Sequence, residues 1–193
     1  MRLSILDLGH GFATKALFAL IRTVSRQPTP EVLKVIKYRP DFLGDYLKNI
    51  THEAMRGPSS WSVADRELMA ALISKLNGCE YCVKAHSAVS ARAYGDGAKV
   101  AAVLADLDHA VIEEPLRATL RMLRKLTLEH AVGEDDMRTL LAAGVAPAQA
   151  RDALAVAFAF NTMNRLADAF GFVVPGPEAF EAGAKFLLAR GYR

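Results

Sequence analysis

The spacing of apolar residues predicts a chain built entirely of α-helices. Apolar side chains recur every three or four positions over most of the sequence, and no stretch alternates with polar residues for long enough to predict a strand. Prolines and glycines divide the pattern, because proline favours helix starts and glycine favours helix ends. The predicted helices run over Phe12–Ser25, a short stretch after Pro30, Pro40 to Arg56, Ser62 to Asn77, Cys79 or Glu80 to Tyr94, Pro115 to about His130, Glu134–Ala143, Pro147–Phe170, and a last amphipathic stretch to about Arg190.

Capping signals surround the fourth of these helices. Ser62, with Asp65 three residues later, predicts a capping box at its start, and Gly78 predicts a left-handed residue at its end. If this helix and the next form an antiparallel hairpin, Glu67 and His86 differ in height by about one turn, at ~1.5 Å per residue. A glutamate side chain is long enough to bridge that offset.

Length and composition favour one domain. We interpret residues 1–193 as a single all-helical domain with an N-terminal arm (1–40), a core (about 40–172) and a C-terminal helix (176–193). Hydrophobic residues make up 52% of the chain and charged residues 23%, which excludes disorder over most of its length. The longest apolar run, 153–160, falls well short of the ~18 residues that a membrane span needs.

Charge and cysteine content restrict the partners and the compartment. The net charge of +3 is too small and too dispersed to predict nucleic-acid binding. Both cysteines lie in one Cys-x-x-Cys, which excludes a secreted disulfide scaffold. Because the first residues also show no clear export signal, we expect a cytoplasmic protein with no membrane partner.

The candidate chemistry lies in the segment from Cys79 to His86. Cysteines three apart in a first helical turn are close enough for a disulfide, and the helix N-terminus stabilises a thiolate. His86 follows Cys82 by four residues, so it shares a helix face with that thiol and could accept its proton. A zinc site built on two cysteines and a histidine, or a purely structural cysteine pair, remains an alternative. By position alone, Glu67 fits a solvated helix residue.

The spacing of Glu67, Cys79, Cys82 and His86 resembles the signature of the alkylhydroperoxidase D-like proteins in the carboxymuconolactone decarboxylase superfamily. Asn77, the Arg-Gly-Pro stretch at 56–58 and the run Phe-Asn-Thr-Met-Asn-Arg-Leu-Ala-Asp at 160–168 are also similar to that family. The resemblance covers about residues 40–172. It implies an all-helical, homo-oligomeric fold that reduces hydroperoxides without metal or bound cofactor.

The resemblance also implies a role for each site residue. Cys82 would attack the peroxide as a thiolate and become a sulfenic acid, and Cys79 would resolve it as a disulfide. His86 and Glu67 would relay protons. The expected partners are a hydroperoxide substrate, an external thiol or dithiol donor, and further copies of the chain. Tyr81 stands where the best-studied members carry a histidine.

Two alternative functions remain open at this point. One is a cofactor-free decarboxylase or lactone enzyme of the same superfamily, although that branch does not depend on a cysteine pair. The other is a non-enzymatic helical oligomer, for which an inert, buried cysteine pair is expected. Among the remaining polar residues, we expect Asn161, Asn164 and Arg165 to make structural hydrogen bonds. A second polar set, Arg117, Arg121, Arg124 and Lys125, predicts a solvated helix face.

Overall fold

The part of the chain that the structure describes contains eleven α-helices and one π-helical turn, joined by loops. The computed structural model describes residues 1–192, apart from the side chains of Phe42 and Leu43. No strand occurs within that range, so the all-helical prediction is confirmed. The helices are α1 (Ile5–Leu8), α2 (Phe12–Ser25), α3 (Glu31–Tyr38), α4 (Asp45–Arg56), α5 (Val63–Leu76), α6 (Glu80–Tyr94), α7 (Gly97–Ala105), α8 (Glu114–Glu129), α9 (Glu134–Ala142), α10 (Pro147–Phe170) and α11 (Pro177–Arg190).

Several helix boundaries lie where the sequence predicts them. Helices α2 and α10 have the predicted limits, and α5 begins with the predicted capping box. The Ser62 hydroxyl accepts from the backbone N–H of Asp65, and the Asp65 carboxylate accepts from the backbone N–H of Ser62. Gly78 adopts φ +74°, the left-handed conformation expected after α5.

Other boundaries differ from the prediction. Pro40 opens the π-helical turn Pro40–Gly44, and the regular helix begins only at Asp45. Helix α7, which was not among the predicted helices, begins at Gly97, because the Asp96 side chain caps it by accepting from the backbone N–H of Lys99 at 2.9 Å. Helix α1 was not predicted.

Helix α5 lies at the centre of the core. It packs against α6, α8 and α10, and ten of its fourteen residues are buried. A helix enclosed on most sides needs apolar residues around most of its circumference, which explains why α5 shows little amphipathic pattern. Helix α11 packs against α6, so it covers the helix that carries the cysteine motif.

Helices α1 to α3, called the arm below, contain one buried residue each. Lys34 holds the arm together through ion pairs with Asp7 at 2.6 Å and Glu31 at 2.7 Å. Phe18 is the one buried residue of α2, and its ring lies edge-on to His10 with centroids 4.9 Å apart. Most of the apolar face of α2 therefore lies at the surface.

The predicted basic face of α8 is only partly solvated. Arg121 and Arg124 pair with the exposed carboxylate of Asp108, as a surface stripe would. Arg117 differs, because its guanidinium donates to backbone carbonyls of the loop that precedes α8, at 2.7 Å for both Leu107 and Ala110. For Arg117 the prediction of a solvated side chain was wrong. The carbonyls of an irregular loop need donors that the loop itself does not supply.

Candidate active site

The turn between α5 and α6 places the cysteine motif. The backbone N–H of Cys79 donates to the carbonyl of Ser74 at 3.0 Å, which closes the end of α5. Cys79 is then the N-cap residue of α6, and Cys82 lies in the first turn of that helix. The positive φ of Gly78 permits this sharp reversal, which brings α5 and α6 together as an antiparallel hairpin.

The two cysteines are free, adjacent and buried. Cys79 is 0% exposed and Cys82 is 3% exposed, and no disulfide joins them. The neighbouring thiol and backbone N–H of Cys82 lower the pKa of Cys79, although burial opposes this. The same thiol contact, together with burial, raises the pKa of Cys82 well above its ordinary value.

Of the two thiols, Cys79 therefore ionises more readily. It is the N-cap residue of α6, where the positive end of the helix dipole favours a thiolate. The sequence singled out Cys82 as the reactive thiolate, and that assignment stays a prediction. Two groups of α10 adjust this balance. Asn164 donates to Cys82, and the Asp168 carboxylate lies against Cys79, where it opposes ionisation.

Glu67 and His86 form a buried pair behind the cysteines. His86 Nδ1 lies 2.7 Å from Glu67 Oε2, with Glu67 0% exposed and His86 6% exposed. The offset expected for a hairpin is thus bridged as the sequence predicted. The edge of the His86 ring contacts Phe160 of α10, with ring centroids 4.3 Å apart, which fixes the plane of the imidazole.

Glu67 remains ionised in spite of its burial. Burial alone would raise its pKa, but the hydrogen bond and charge of His86, and those of Arg56, lower the net pKa. The second carboxylate oxygen, Oε1, accepts from Arg56 Nη2 at 2.7 Å and from the Tyr192 hydroxyl at 2.9 Å. A buried carboxylate with three donors is well supplied with hydrogen bonds.

The sequence reasoning did not identify Arg56 or Tyr192 as site residues. Arg56 stands in the Arg-Gly-Pro stretch that resembles the family, so a signal for it was present. Tyr192 lies 106 positions from His86 in the chain, and no local pattern connects them. Within the described residues, Cys82 and His86 form no hydrogen bond with each other. The transfer of a proton between His86 and the Cys82 sulfur therefore stays a prediction.

Tyr81 packs in an aromatic cluster and does not titrate at physiological pH. Its ring contacts Phe172 and Phe180 edge-on, with centroids 5.2 Å and 5.7 Å apart. Burial raises the pKa of the Tyr81 phenol, so it stays protonated at physiological pH. The position that carries a histidine in the best-studied relatives therefore supplies apolar cover here.

An amide network joins α10 to the end of α5. Asn77 donates to Asn161 at 2.9 Å and to Asn164 at 3.0 Å, and Asn164 donates to Ser74 at 3.0 Å. The expectation of structural hydrogen bonds is confirmed for the two asparagines of α10. Because Asn164 also contacts Cys82, the network holds α10 against the thiols.

No group of three or more potential metal ligands occurs among residues 1–192. Within the same range, every helix is too short or too polar to cross a lipid bilayer. The site offers two thiols, an imidazole and a carboxylate, which can exchange protons and form a disulfide.

Residues 43–108 match the sequence model of the carboxymuconolactone decarboxylase family. The matched range contains Glu67, both cysteines and His86. The match covers 66 of the 193 residues. The resemblance identified from the motif spacing is thereby confirmed. No curated protein matches the chain in sequence.

Solved structures share the fold over most of the chain. One is an uncharacterized peroxidase-related protein from Silicibacter sp. TM1040, with TM-score 0.75, 24% identity and 88% of each chain covered. Another, described as an alkylhydroperoxidase AhpD core and an uncharacterized peroxidase-related protein, comes from Ralstonia eutropha JMP134, with TM-score 0.75, 24% identity and 92% of each chain covered. The debrominase Bmp8 is also similar, with TM-score 0.67 and 17% identity over 88% of this chain and 90% of that one. The carboxymuconolactone decarboxylase segment therefore lies within a larger shared all-helical fold.

Proposed function

We propose that this protein is a thiol-dependent hydroperoxide reductase that uses Cys79 and Cys82 as a redox pair. The observation that carries the proposal is the contact of two free thiols at a helix N-terminus, in front of a buried Glu67–His86 pair. Peroxide reduction needs a thiolate, a proton source and a second thiol. Residues of all three kinds are present within this hairpin.

The reaction begins with attack of the Cys82 thiolate on the distal peroxide oxygen. The S–O bond forms as the O–O bond breaks, and the departing alkoxide takes a proton to become an alcohol. Cys79 then attacks the sulfenic sulfur, which releases water and leaves the Cys79–Cys82 disulfide. Two equivalents of an external thiol reduce this disulfide and leave as their own disulfide.

His86 and Glu67 act on the protons of these steps. His86 accepts the proton that Cys82 holds at rest, and Glu67 orients the imidazole through Nδ1. No metal or bound cofactor takes part in this scheme. The hydroperoxide and the thiol donor are its only co-reactants.

A homo-oligomer is part of the proposal. The chain exposes several large apolar residues on α2 and on α10. They are Phe12, Leu20, Val24 and Phe158. Scattered exposed residues are ordinary, but a helix that presents most of its apolar face to solvent is typical of a contact with another chain.

Peroxide consumption with a dithiol donor tests the enzymatic proposal. We expect turnover in the wild type and its loss, by at least about 100-fold, in Cys82→Ser, because the nucleophile is removed. In Cys79→Ser, one peroxide equivalent should leave a trappable sulfenic acid at residue 82. Lys84→Ala, which changes an exposed residue of α6, serves as the control and should retain activity.

A sulfenic acid at residue 79 in Cys82→Ser, with none at residue 82 in Cys79→Ser, would reverse the two roles. This comparison of the two variants matters because Cys79 ionises more readily than Cys82. Turnover that survives both substitutions would contradict a thiol mechanism altogether.

A non-enzymatic helical oligomer is the second candidate. The observation in its favour is the burial of both thiols, 0% exposed for Cys79 and 3% for Cys82. Alkylation of the native protein separates the two candidates. The reductase must expose a thiol on the timescale of turnover, whereas the inert oligomer reacts only at its unfolding rate.

A further inference from the structure

The residue that closes the site comes from the turn after α11. Gly191 adopts φ +68°, and a Cβ placed on it would lie 2.8 Å from His52 Cε1. Only glycine fits this position without strain. The turn directs Tyr192 back towards α4 and α6, and its backbone N–H donates to His52 Nδ1 at 3.2 Å.

The Tyr192 side chain contacts both members of the Glu67–His86 pair. Its hydroxyl donates to Glu67 Oε1 at 2.9 Å, and its ring stacks on His86, with centroids 6.4 Å apart and planes inclined by 20°. The Arg56 guanidinium lies 5.0 Å from the centre of the same ring. Tyr192 therefore contacts the acid, the imidazole and the arginine at once.

The phenol acts as a hydrogen-bond donor and does not titrate. Burial raises the pKa of Tyr192 well above its usual value, and the negative charge of Glu67 raises it further. A hydroxyl that stays protonated cannot exchange protons with substrate at neutral pH. Its effect on the reaction is limited to what it does to Glu67 and His86.

We propose that Tyr192 is a positioning residue that draws part of the Glu67 charge away from His86. Oε1 accepts from Tyr192 and Arg56, whereas Oε2 is directed at His86. Each donor to Oε1 reduces the electron density that the carboxylate offers to the imidazole. Tyr192 thereby limits how strongly the Glu67 carboxylate attracts the proton on His86 Nδ1. This inference rests on the proposed function.

The groups that face His86 come from every element around it. Helix α5 supplies Glu67, α4 supplies Arg56, the turn after α11 supplies Tyr192, and α6 itself supplies Cys82. Helix α10 contributes the uncharged Phe160 ring. His52 accepts from the backbone N–H of Tyr192. Tyr192→Phe removes a hydrogen bond to Glu67 without any change of charge.

The test compares Tyr192→Phe with Glu67→Gln. Titration of the His86 ring is followed by NMR in the full chain, so the readout does not need enzymatic activity. Tyr192→Phe leaves more charge on Glu67, so the pH at which the ring becomes charged should rise by about half a unit, a roughly threefold change in the protonation equilibrium. Glu67→Gln removes the charge, so that pH should fall. Tyr46→Phe, at a residue 68% exposed, is the matched control and should shift nothing.

Opposite shifts in the two variants support the inference. A purely structural Tyr192 would, when altered, loosen the pair, and the ring would then titrate in the same direction as in Glu67→Gln. That result, or no shift in a folded Tyr192→Phe protein, would overturn the inference. If Tyr192→Phe fails to fold, Arg56→Lys is the milder variant to measure. Because it weakens the other donor to Glu67 Oε1, it should also raise the pH at which the His86 ring titrates. An unchanged titration in Arg56→Lys would contradict the inference.

Peroxide consumption is measured separately on the same variants. Opposite NMR shifts with no turnover in the wild type would reject the reductase and leave the positioning role in place. Turnover in the wild type together with unshifted NMR titrations in the variants would reject the positioning role and leave the reductase in place.

Discussion

Helices α2 and α5 are both fourteen residues long, but α2 lies mostly at the surface and α5 is mostly buried. Helix α2 has the regular amphipathic pattern, yet only Phe18 is buried. Helix α5 has little such pattern, and ten of its residues are buried. An amphipathic pattern shows that a helix has an apolar face to cover, but not that its own chain covers it. A weak pattern, in turn, is typical of a helix enclosed on most sides.

The polar groups of the two regions differ in the same way. In the arm, Lys34 pairs with Asp7, whose side chain is 37% exposed. Around α5, Glu67 is 0% exposed and accepts from His86, Arg56 and Tyr192. Exposed pairs contribute roughly 0–1 kcal/mol, whereas breaking a buried pair costs about 3–5 kcal/mol because a charge is left unpaired. The site region is thus far more sensitive to substitution.

The largest expected difference is between two phenylalanines. Phe160→Ala removes a ring that is 1% exposed and contacts His86, so unfolding free energy should fall by about 3–5 kcal/mol. Phe12→Ala, at a residue 89% exposed, should change it by less than about 0.5 kcal/mol. Urea unfolding at low protein concentration measures both. Equal losses would show that α2 is packed in solution as tightly as the core.

The pH dependence of stability gives a smaller difference. Glu67 has a lowered pKa in the folded state, so its stabilising effect is full above the ordinary value of 4.5 and is lost as the pH falls through the folded value. A glutamine can still accept hydrogen bonds from Arg56 and Tyr192, so the loss should be smaller than the ~3–5 kcal/mol of a broken buried pair. The unfolding free energy of the wild type should exceed that of Glu67→Gln by about 2 kcal/mol at pH 7. That gap should narrow below pH 4.5. Urea unfolding between pH 7 and pH 3 measures it.

Asp7→Asn is the matched control for this pH series. The hydrogen bond from Lys34 also lowers the pKa of Asp7, but the side chain is 37% exposed, so solvent weakens the effect. We expect a gap of less than about 1 kcal/mol for the arm variant. A gap for Glu67→Gln that stays constant from pH 7 to pH 3 would mean that its carboxylate is not held ionised by the site.

The smallest expected effect on stability comes from the exposed face of α2. Leu20→Glu combined with Val24→Glu should alter unfolding free energy by no more than about 0.5 kcal/mol, since both side chains already face solvent. The mass in light scattering should nevertheless fall towards the 20.9 kDa monomer, because the apolar face is proposed to contact another copy. Val111→Glu, at a residue 94% exposed in a loop, should leave the mass unchanged. A wild-type monomer would contradict the proposed oligomer.

Local signals in the sequence predicted much of the hairpin. The Ser62–Asp65 capping box, the left-handed Gly78 and the spacing of Cys79, Cys82 and His86 are all short-range features, because caps and helix faces depend on residues a few positions apart. The Glu67–His86 contact also followed once a hairpin was assumed. The sequence did not predict Asp96 as the N-cap of α7, because Gly95 and Gly97 on either side of it favour a break.

The sequence by itself determined that this chain is helical, where most helices begin and end, and which four residues carry the candidate chemistry. Tertiary structure alone decided that α5 is enclosed while α2 is not, that burial raises the pKa of Cys82, and that Arg56 and Tyr192 join the site. The physical reason is range. Caps and helix faces arise within a few residues, whereas burial, the pKa shifts that it causes and a donor 125 positions from its acceptor depend on which helices pack together.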